Sequence, residues 1–294
     1  MPGWNSIQPE IQSSGTPYEH VRRAYLKTLA QKTGRNVIAY YSAFLQSHTN
    51  QVVSIMDADK EGFMNAIQGM DKSKGLALLL HTPGGDVAAT ESIGHYLRQI
   101  FGTNIDCYIP QLAMSGGTML ACCCQKIVMG KQSNIGPIDP QFNGIPCYGV
   151  LEEFRKALQA AEENPKTIPI WQTIIGKYHP SFIVECENAI RLSSEIVTRW
   201  LTTGMFAHSK NAMAKANKVV TALNDHMTTK VHARHIHADE ALNIGLNIVP
   251  LEADDELQDL VLSIHHAFMS TFWGTNALKI IESDQGKAII INGK

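Results

Sequence analysis

The hydrophobic positions along this chain change period several times, and the changes mark its elements. From Tyr18 to Lys32 apolar residues recur at helical spacing and stop at Gly34, which predicts a helix. Asn36 to Phe44 (NVIAYYSAF) is rich in β-branched and aromatic residues and reads as a strand. Lys60 to Gly69 has the spacing of a short amphipathic helix, with Asp57 placed as its N-cap. Gly75 to His81 contains an unbroken apolar run, Leu76 to Leu80, so this strand is expected to be buried on both faces of a parallel sheet. Asp86 stands where it can cap a helix over Val87 to Phe101. Asn104 to Ile109 and Lys126 to Met129 read as further strands. Between them a helix of small residues opens at Ser115 and runs to about Cys124.

A loop rich in Gly, Pro and Asp, SNIGPIDPQFNGIP, follows. From Val150 onward the pattern is mostly helical, with long segments at Leu151 to Ala161, Ser181 to Leu201 and Ala207 to Met227. A turn at Arg234 to His237 leads to a short helix, a glycine and a strand in ADEALNIGLNIVPL; Leu257 to Phe272 is again helical. The tail, ALKIIESDQGKAIIING, is expected to add a helix and a short strand. Strands alternating with helical crossovers specify an α/β fold with parallel strands and a mostly helical C-terminal half. Residues 1–17 are expected to form a loose arm and 18–294 one domain, within which 170–235 is a mostly helical insertion suited to oligomerisation.

Composition narrows the function classes. The chain has 294 residues and a formal net charge of -2, with no basic segment of the kind that binds nucleic acid. No apolar run approaches membrane-spanning length, and the N-terminal stretch lacks the charged start and apolar core of a signal peptide, so a soluble cytoplasmic protein is expected. Three of the six cysteines, Cys122, Cys123 and Cys124, are consecutive. On a helix they point about 100° apart and cannot share a metal, so they read as small buried apolar groups.

The candidate chemistry lies where two strands stop. The first ends at His81-Thr82-Pro83-Gly84-Gly85-Asp86 and the second is followed by Ser115-Gly116-Gly117. Strands ending side by side would put two glycine turns and one hydroxyl in a single crevice. A serine beside unencumbered backbone N–H groups is the equipment of a nucleophile with an oxyanion hole. Glycine pairs after strands also serve as simple turns, and only the combination points to chemistry. His232, His235 and His237 cluster, but no acidic or cysteine ligand sits at a familiar offset, so no metal is expected. Gly-x-Gly-x-x-Gly is absent and no cofactor is expected. Asp139, in the Gly-Pro-Ile-Asp-Pro loop, reads as a turn residue or as a group that orients a base.

The segments HTPGGD, AMSGGTMLACCCQKIVMGKQSNIGPIDPQ and HADEALNIGLNIV resemble the Clp-fold serine peptidases. That superfamily includes the Clp protease subunit, signal-peptide peptidase A and the crotonases. Among its members the chain is most similar to the serine dehydrogenase proteinase family, from about Arg22 to Gly286. The resemblance implies a Clp/crotonase-like fold, a serine-type endopeptidase acting on peptide or protein, and a homo-oligomer. It implies Ser115 as the nucleophile, and Gly84 or Gly85 with Gly116 as the oxyanion hole. The base is open. The Clp protease subunit has a histidine where this chain has Asn134-Ile135-Gly136-Pro137. Signal-peptide peptidase A uses a lysine in a Gly-x-Tyr-Lys segment, whose counterpart here, Gly176-Lys177-Tyr178-His179, offers both Lys177 and His179. Two other readings remain: a crotonase-like enzyme on acyl thioesters, whose oxyanion hole would hold an enolate, and a non-catalytic scaffold.

Overall fold

The computed structural model describes residues 18–46, 50–142, 144–224 and 234–293. The arm expected at 1–17 lies outside them, as does His232. In chain order the first half contains α1 (Tyr18–Thr33), β1 (Asn36–Ser42), α2 (Asn50–Val53), α3 (Asp59–Ile67), β2 (Leu76–His81), α4 (Val87–Phe101), β3 (Ile105–Ile109), β4 (Leu112–Ala113), α5 (Gly116–Cys122), β5 (Lys126–Met129) and β6 (Asn134–Ile135). The short pair β7 (Gln141–Phe142) and β8 (Ile145–Pro146) leads into the helices α6 (Cys147–Glu163), α7 (Ile168–Ile175), α8 (Phe182–Thr203) and α9 (Ala212–Asn224). The chain closes with β9 (Ile236–His237), α10 (Ala238–Ile244), β10 (Ile248–Pro250), α11 (Asp255–Gly274), β11 (Ala277–Ser283) and β12 (Ala288–Asn292).

Seven strands form the central sheet in the order β10-β5-β3-β2-β1-β11-β12. The five from β10 to β1 are mutually parallel. Every residue of β1 and β2 is buried, as the unbroken apolar run requires. Ile38, Tyr40, Leu78 and Leu80 enter one core with Phe63 of α3, Ile93 of α4, Leu120 of α5, Trp200 of α8 and Val219 of α9. Val37, Ala39, Tyr41, Ala77 and Leu79 enter the other with Leu26 and Leu29 of α1 and Ile264 and Phe268 of α11. Alternate residues thus serve opposite faces, and each large side chain so buried contributes about 1.5–3 kcal/mol. Gly94 allows α8 to lie close on α4: a Cβ there would come within 2.6 Å of the Trp200 ring. All six cysteines are free and buried. Among the described residues no helix is long and apolar enough to cross a membrane.

Three expectations are corrected. The first half of the tail is strand, not helix: β11 pairs antiparallel with β1, and β12 with β11. Its polar residues conceal the two-residue period, because Lys279 and Glu282 are fully buried in ion pairs and not exposed on a helix face. The sheet is therefore parallel only up to β1. Asp57 does not cap α3; the N-cap is Ala58 without a side-chain bond, and Asp59 instead turns inward. Arg234 to His237 is not merely a turn, since β9 pairs with β6 in a second small sheet, β4-β6-β9.

Candidate active site

Two chain reversals leave the same strand pair. After β2 the chain stays paired with β4: Thr82 N–H donates to Leu112 O at 3.0 Å, and Met114 N–H donates to Thr82 O at 3.0 Å. The turn at Pro83-Gly84-Gly85 and the turn at Ser115-Gly116 therefore emerge side by side. A Cβ added to Gly84 would lie 2.6 Å from Ser115 Cβ, 2.7 Å from Met114 O and 2.8 Å from Gly116 N. Gly84 also adopts φ 93°, so both space and backbone require glycine there.

Ser115 takes φ 50°, ψ -113° as it enters α5. Positive φ in a non-glycine residue stores roughly 1–3 kcal/mol and persists only where the surroundings enforce it. Here they do. Gly117 N–H donates to Met114 O at 2.7 Å, and Met119 N–H to Ser115 O at 3.0 Å. The Thr118 hydroxyl donates to Ala113 O at 2.8 Å and accepts from Gly136 N–H at 2.9 Å, tying α5 to the strand segments on both sides. The Ser115 hydroxyl does not cap the helix, and the residue is half-buried. This strained strand-to-helix turn has the form that exposes a nucleophile in other hydrolase folds.

The glycine N–H groups are not equivalent. Gly84 N–H donates to the Thr82 hydroxyl at 3.2 Å. Gly85 is flanked by a parallel bridge to Ile55, in which Ile55 N–H donates to Gly84 O at 2.8 Å and Asp86 N–H donates to Ile55 O at 3.0 Å. In that pattern Gly85 N–H has no hydrogen-bond partner among the described residues, and it lies 3.4 Å from where a Cβ on Gly116 would sit. Gly116 is the first residue of α5, so its N–H has no partner within the helix. A Cβ on Gly85 would strike Ile55, 2.3 Å from its N and 2.4 Å from its O; a Cβ on Gly116 would come 2.6 Å from the Thr90 hydroxyl. Of the six residues to which the resemblance points, Ser115, Gly84, Gly85, Gly116, Lys177 and His179, the first four meet here.

Lys177 and His179 make their contacts elsewhere. Both lie between α7 and α8, where Lys177 N–H donates to Ile174 O at 3.1 Å. His179 Nδ1 lies 2.9 Å from Pro180 O and its ring 4.9 Å from that of Phe182; Nε2 is 3.9 Å from Glu185. Neither hydrogen-bonds to Ser115. They border a small separate cluster of Cys147, Val150, Phe182 and Cys186, with Phe142 and Tyr178 against it. Asp139 is buried near Cys147. Burial pushes the Cys147 thiol up to about 12, with Cys186 and Asp139 adding to the effect. His235 and His237 are exposed.

Thr82, Thr90 and Ile55 shape the site and carry no sequence signal of their own. The Thr82 hydroxyl oxygen accepts from Gly84 N–H, and its methyl fills the space beside Gly117. A threonine before a Pro-Gly-Gly turn is the one hint the sequence holds.

The chain is similar in sequence to two archaeal proteins. Uncharacterized protein MJ1495 of Methanocaldococcus jannaschii is 28% identical over 179 residues, 59% of this chain and 60% of its own length. Uncharacterized protein MJ0137 of the same organism is 35% identical over 94 residues, 32% of each. The chain thus spans less than two thirds of either relative. Among solved structures, a mutant of the 1510-N membrane-bound stomatin-specific protease matches with a TM-score of 0.39 and 16% identity, covering 70% of this chain and 79% of that one. Residues 7–249 match the family model of the ClpP-like SDH-type serine proteinases, and the chain belongs to that family.

Proposed function

We propose that this chain is a serine peptidase in which Ser115 attacks a peptide carbonyl. The carbonyl oxygen becomes an oxyanion held by the N–H groups of Gly85 and Gly116, while Gly84 shapes the turn. A base takes the Ser115 proton and delivers it to the departing amine; Lys177 and His179 are the two candidates that the family resemblance supplies for it. The resulting acyl ester on Ser115 is then cleaved by water, which the same base deprotonates. The observation that carries this reading is the strained Ser115, in contact with a glycine turn whose second N–H is uncommitted. Family membership supports peptide or protein as the substrate class.

A fluorophosphonate probe tests the reading directly. The intact protein should be labelled at Ser115, as located by peptide mass spectrometry, and Ser115→Ala should not label. Labelling that survives Ser115→Ala overturns the assignment. Alanine at Lys177 and at His179 separates the two candidate bases. Loss of a general base slows reaction by about 100-fold or more, and the other variant should stay near the parent rate. Parent rates in both would remove this segment from the mechanism.

A further inference from the structure

We propose that Lys279, on the C-terminal hairpin, is a positioning residue that aims the Gly85 N–H at the oxyanion. The inference rests on the reading of Gly85 as an oxyanion-hole donor.

The geometry runs from β11, which lies between β1 and the edge strand β12, to the site in three contacts. Lys279 Nζ donates to Ser54 O at 2.7 Å and to both carboxylate oxygens of Asp59, at 2.8 and 3.0 Å. Asp59 also accepts from Met56 N–H at 3.0 Å and from the Tyr40 hydroxyl at 2.8 Å. Ser54 and Met56 are thus gripped from the same buried ion pair, and the residue between them is Ile55. Ile55 is the residue bonded to Gly84 O and Asp86 N–H, with its backbone against Gly85. The backbone of Ser54, Ile55 and Met56 links the ion pair to Gly85, whose N–H has no partner among the described residues.

Both charged side chains are fully buried. Burial lowers the Lys279 pKa, and the Asp59 carboxylate opposes that shift. Removing two charges from water is expensive, and a hydrophobic pair would pack β11 against α3 at least as well. The pair does one thing a hydrophobic pair cannot: it fixes the heights of a carbonyl and an N–H on either side of Ile55. An oxyanion hole depends on such fixed donor directions, because its bonds tighten only as negative charge develops. Lys279 also lies beyond residue 249, where the family match ends, so the hairpin supplies a support from outside the matched region.

The test uses the rate of fluorophosphonate inactivation, resolved into saturation constant and maximal rate. Lys279→Met leaves Asp59 buried without its cation and is expected to be unstable. The double variant Asp59→Leu, Lys279→Met removes both charges and is the informative one. With a cooperative melt and parental far-UV circular dichroism, it should show a maximal rate at least about 10-fold lower and a saturation constant within about twofold of parent. Lys279→Arg, which keeps the cation, should recover much of the rate. A folded double variant that reacts at the parental maximal rate overturns the positioning role and leaves Ser115 as nucleophile. A joint change of rate and saturation constant, unrelieved by Lys279→Arg, also counts against it, as general disruption. Undiminished labelling of Ser115→Ala would remove the underlying reading itself.

Discussion

At the scale of single residues, the site was legible where chemistry restricts the choice of amino acid. A hydroxyl at an elbow must be Ser or Thr, and a turn pressed against Ser115 Cβ and Met114 O must be Gly84. Residues whose role comes only from contact were not legible. Ile55 is one apolar residue among many until Gly85 lies against its backbone, and Lys279 resembles any surface lysine until its burial is seen. A Cβ at Gly85 would point at Ile55 N and O. Gly85→Ala should therefore lose stability as well as activity, with a lower urea midpoint; an unchanged midpoint would contradict the contact. Ser115 allows a sharper experiment. Ser115→Ala and Ser115→Gly both remove the proposed nucleophile, but only glycine relieves a φ of 50°. Relief of roughly 1–3 kcal/mol, less the 0.5–1 kcal/mol that glycine loses in chain entropy, leaves Ser115→Gly about 1 kcal/mol more stable than Ser115→Ala. Equal urea midpoints for the two variants would mean that the elbow is not strained.

At the scale of elements, helices with strong local signals were placed to within a few residues. Val87–Phe101 matches its expected span, and Asp86 accepts from Ala89 N–H at 2.8 Å as its cap. The elements that failed are those decided by distant partners. β11 is held by β1, some 240 residues earlier in the chain, and its polar positions find Asp59, Arg22 and Arg23 only after folding. The two-residue strands β4, β6 and β9 are too short to show a period, yet they align Met114 with Gly136. The helical region also carries an unsatisfied element. None of the residues of α7 is buried, although six of its eight positions are apolar or proline. Ile170 and, nearby in sequence, Leu158 and Val184 are largely exposed. The homo-oligomer that the family resemblance implies would cover such a face. Ile170→Asp should then shift the mass measured by light scattering toward the monomer while leaving the melt of the isolated chain little changed. A parental mass in that variant would exclude α7 from the interface.

At the scale of the whole molecule, the α/β alternation was readable because parallel strands must be apolar throughout, and that made β2 recognisable. What the alternation did not reveal is a pair of histidines sealed in the core behind the site. His81 ends β2, opposite Tyr41 of β1, and is fully buried. Its ring lies 4.8 Å from that of Phe44, 5.5 Å from Tyr41 and 5.1 Å from His265 on α11. Neither of its ring nitrogens has a hydrogen-bond partner among the described residues. Burial lowers the His81 pKa to about 3, and burial followed by the neighbouring His81 and His266 puts His265 well below the usual value. In the unfolded chain each would titrate near about 6.5. Between the two values the unfolded state binds protons that the folded state refuses, so the stability present above pH 6.5 is lost as the pH falls. At pH 5 the loss is about 2 kcal/mol for His81, a large share of a typical margin of about 5–15 kcal/mol, and His265 adds to it in the same direction. Urea unfolding at pH 8 and pH 5 should show this fall. His81→Leu removes one titration and two unpaired buried nitrogens, so it should match the parent within about 1 kcal/mol at pH 8 and lose about 2 kcal/mol less than the parent on acidification to pH 5. If parent and variant fall in parallel between pH 7 and 5, the acid sensitivity arises elsewhere, and His81 is already charged or solvated in the folded protein.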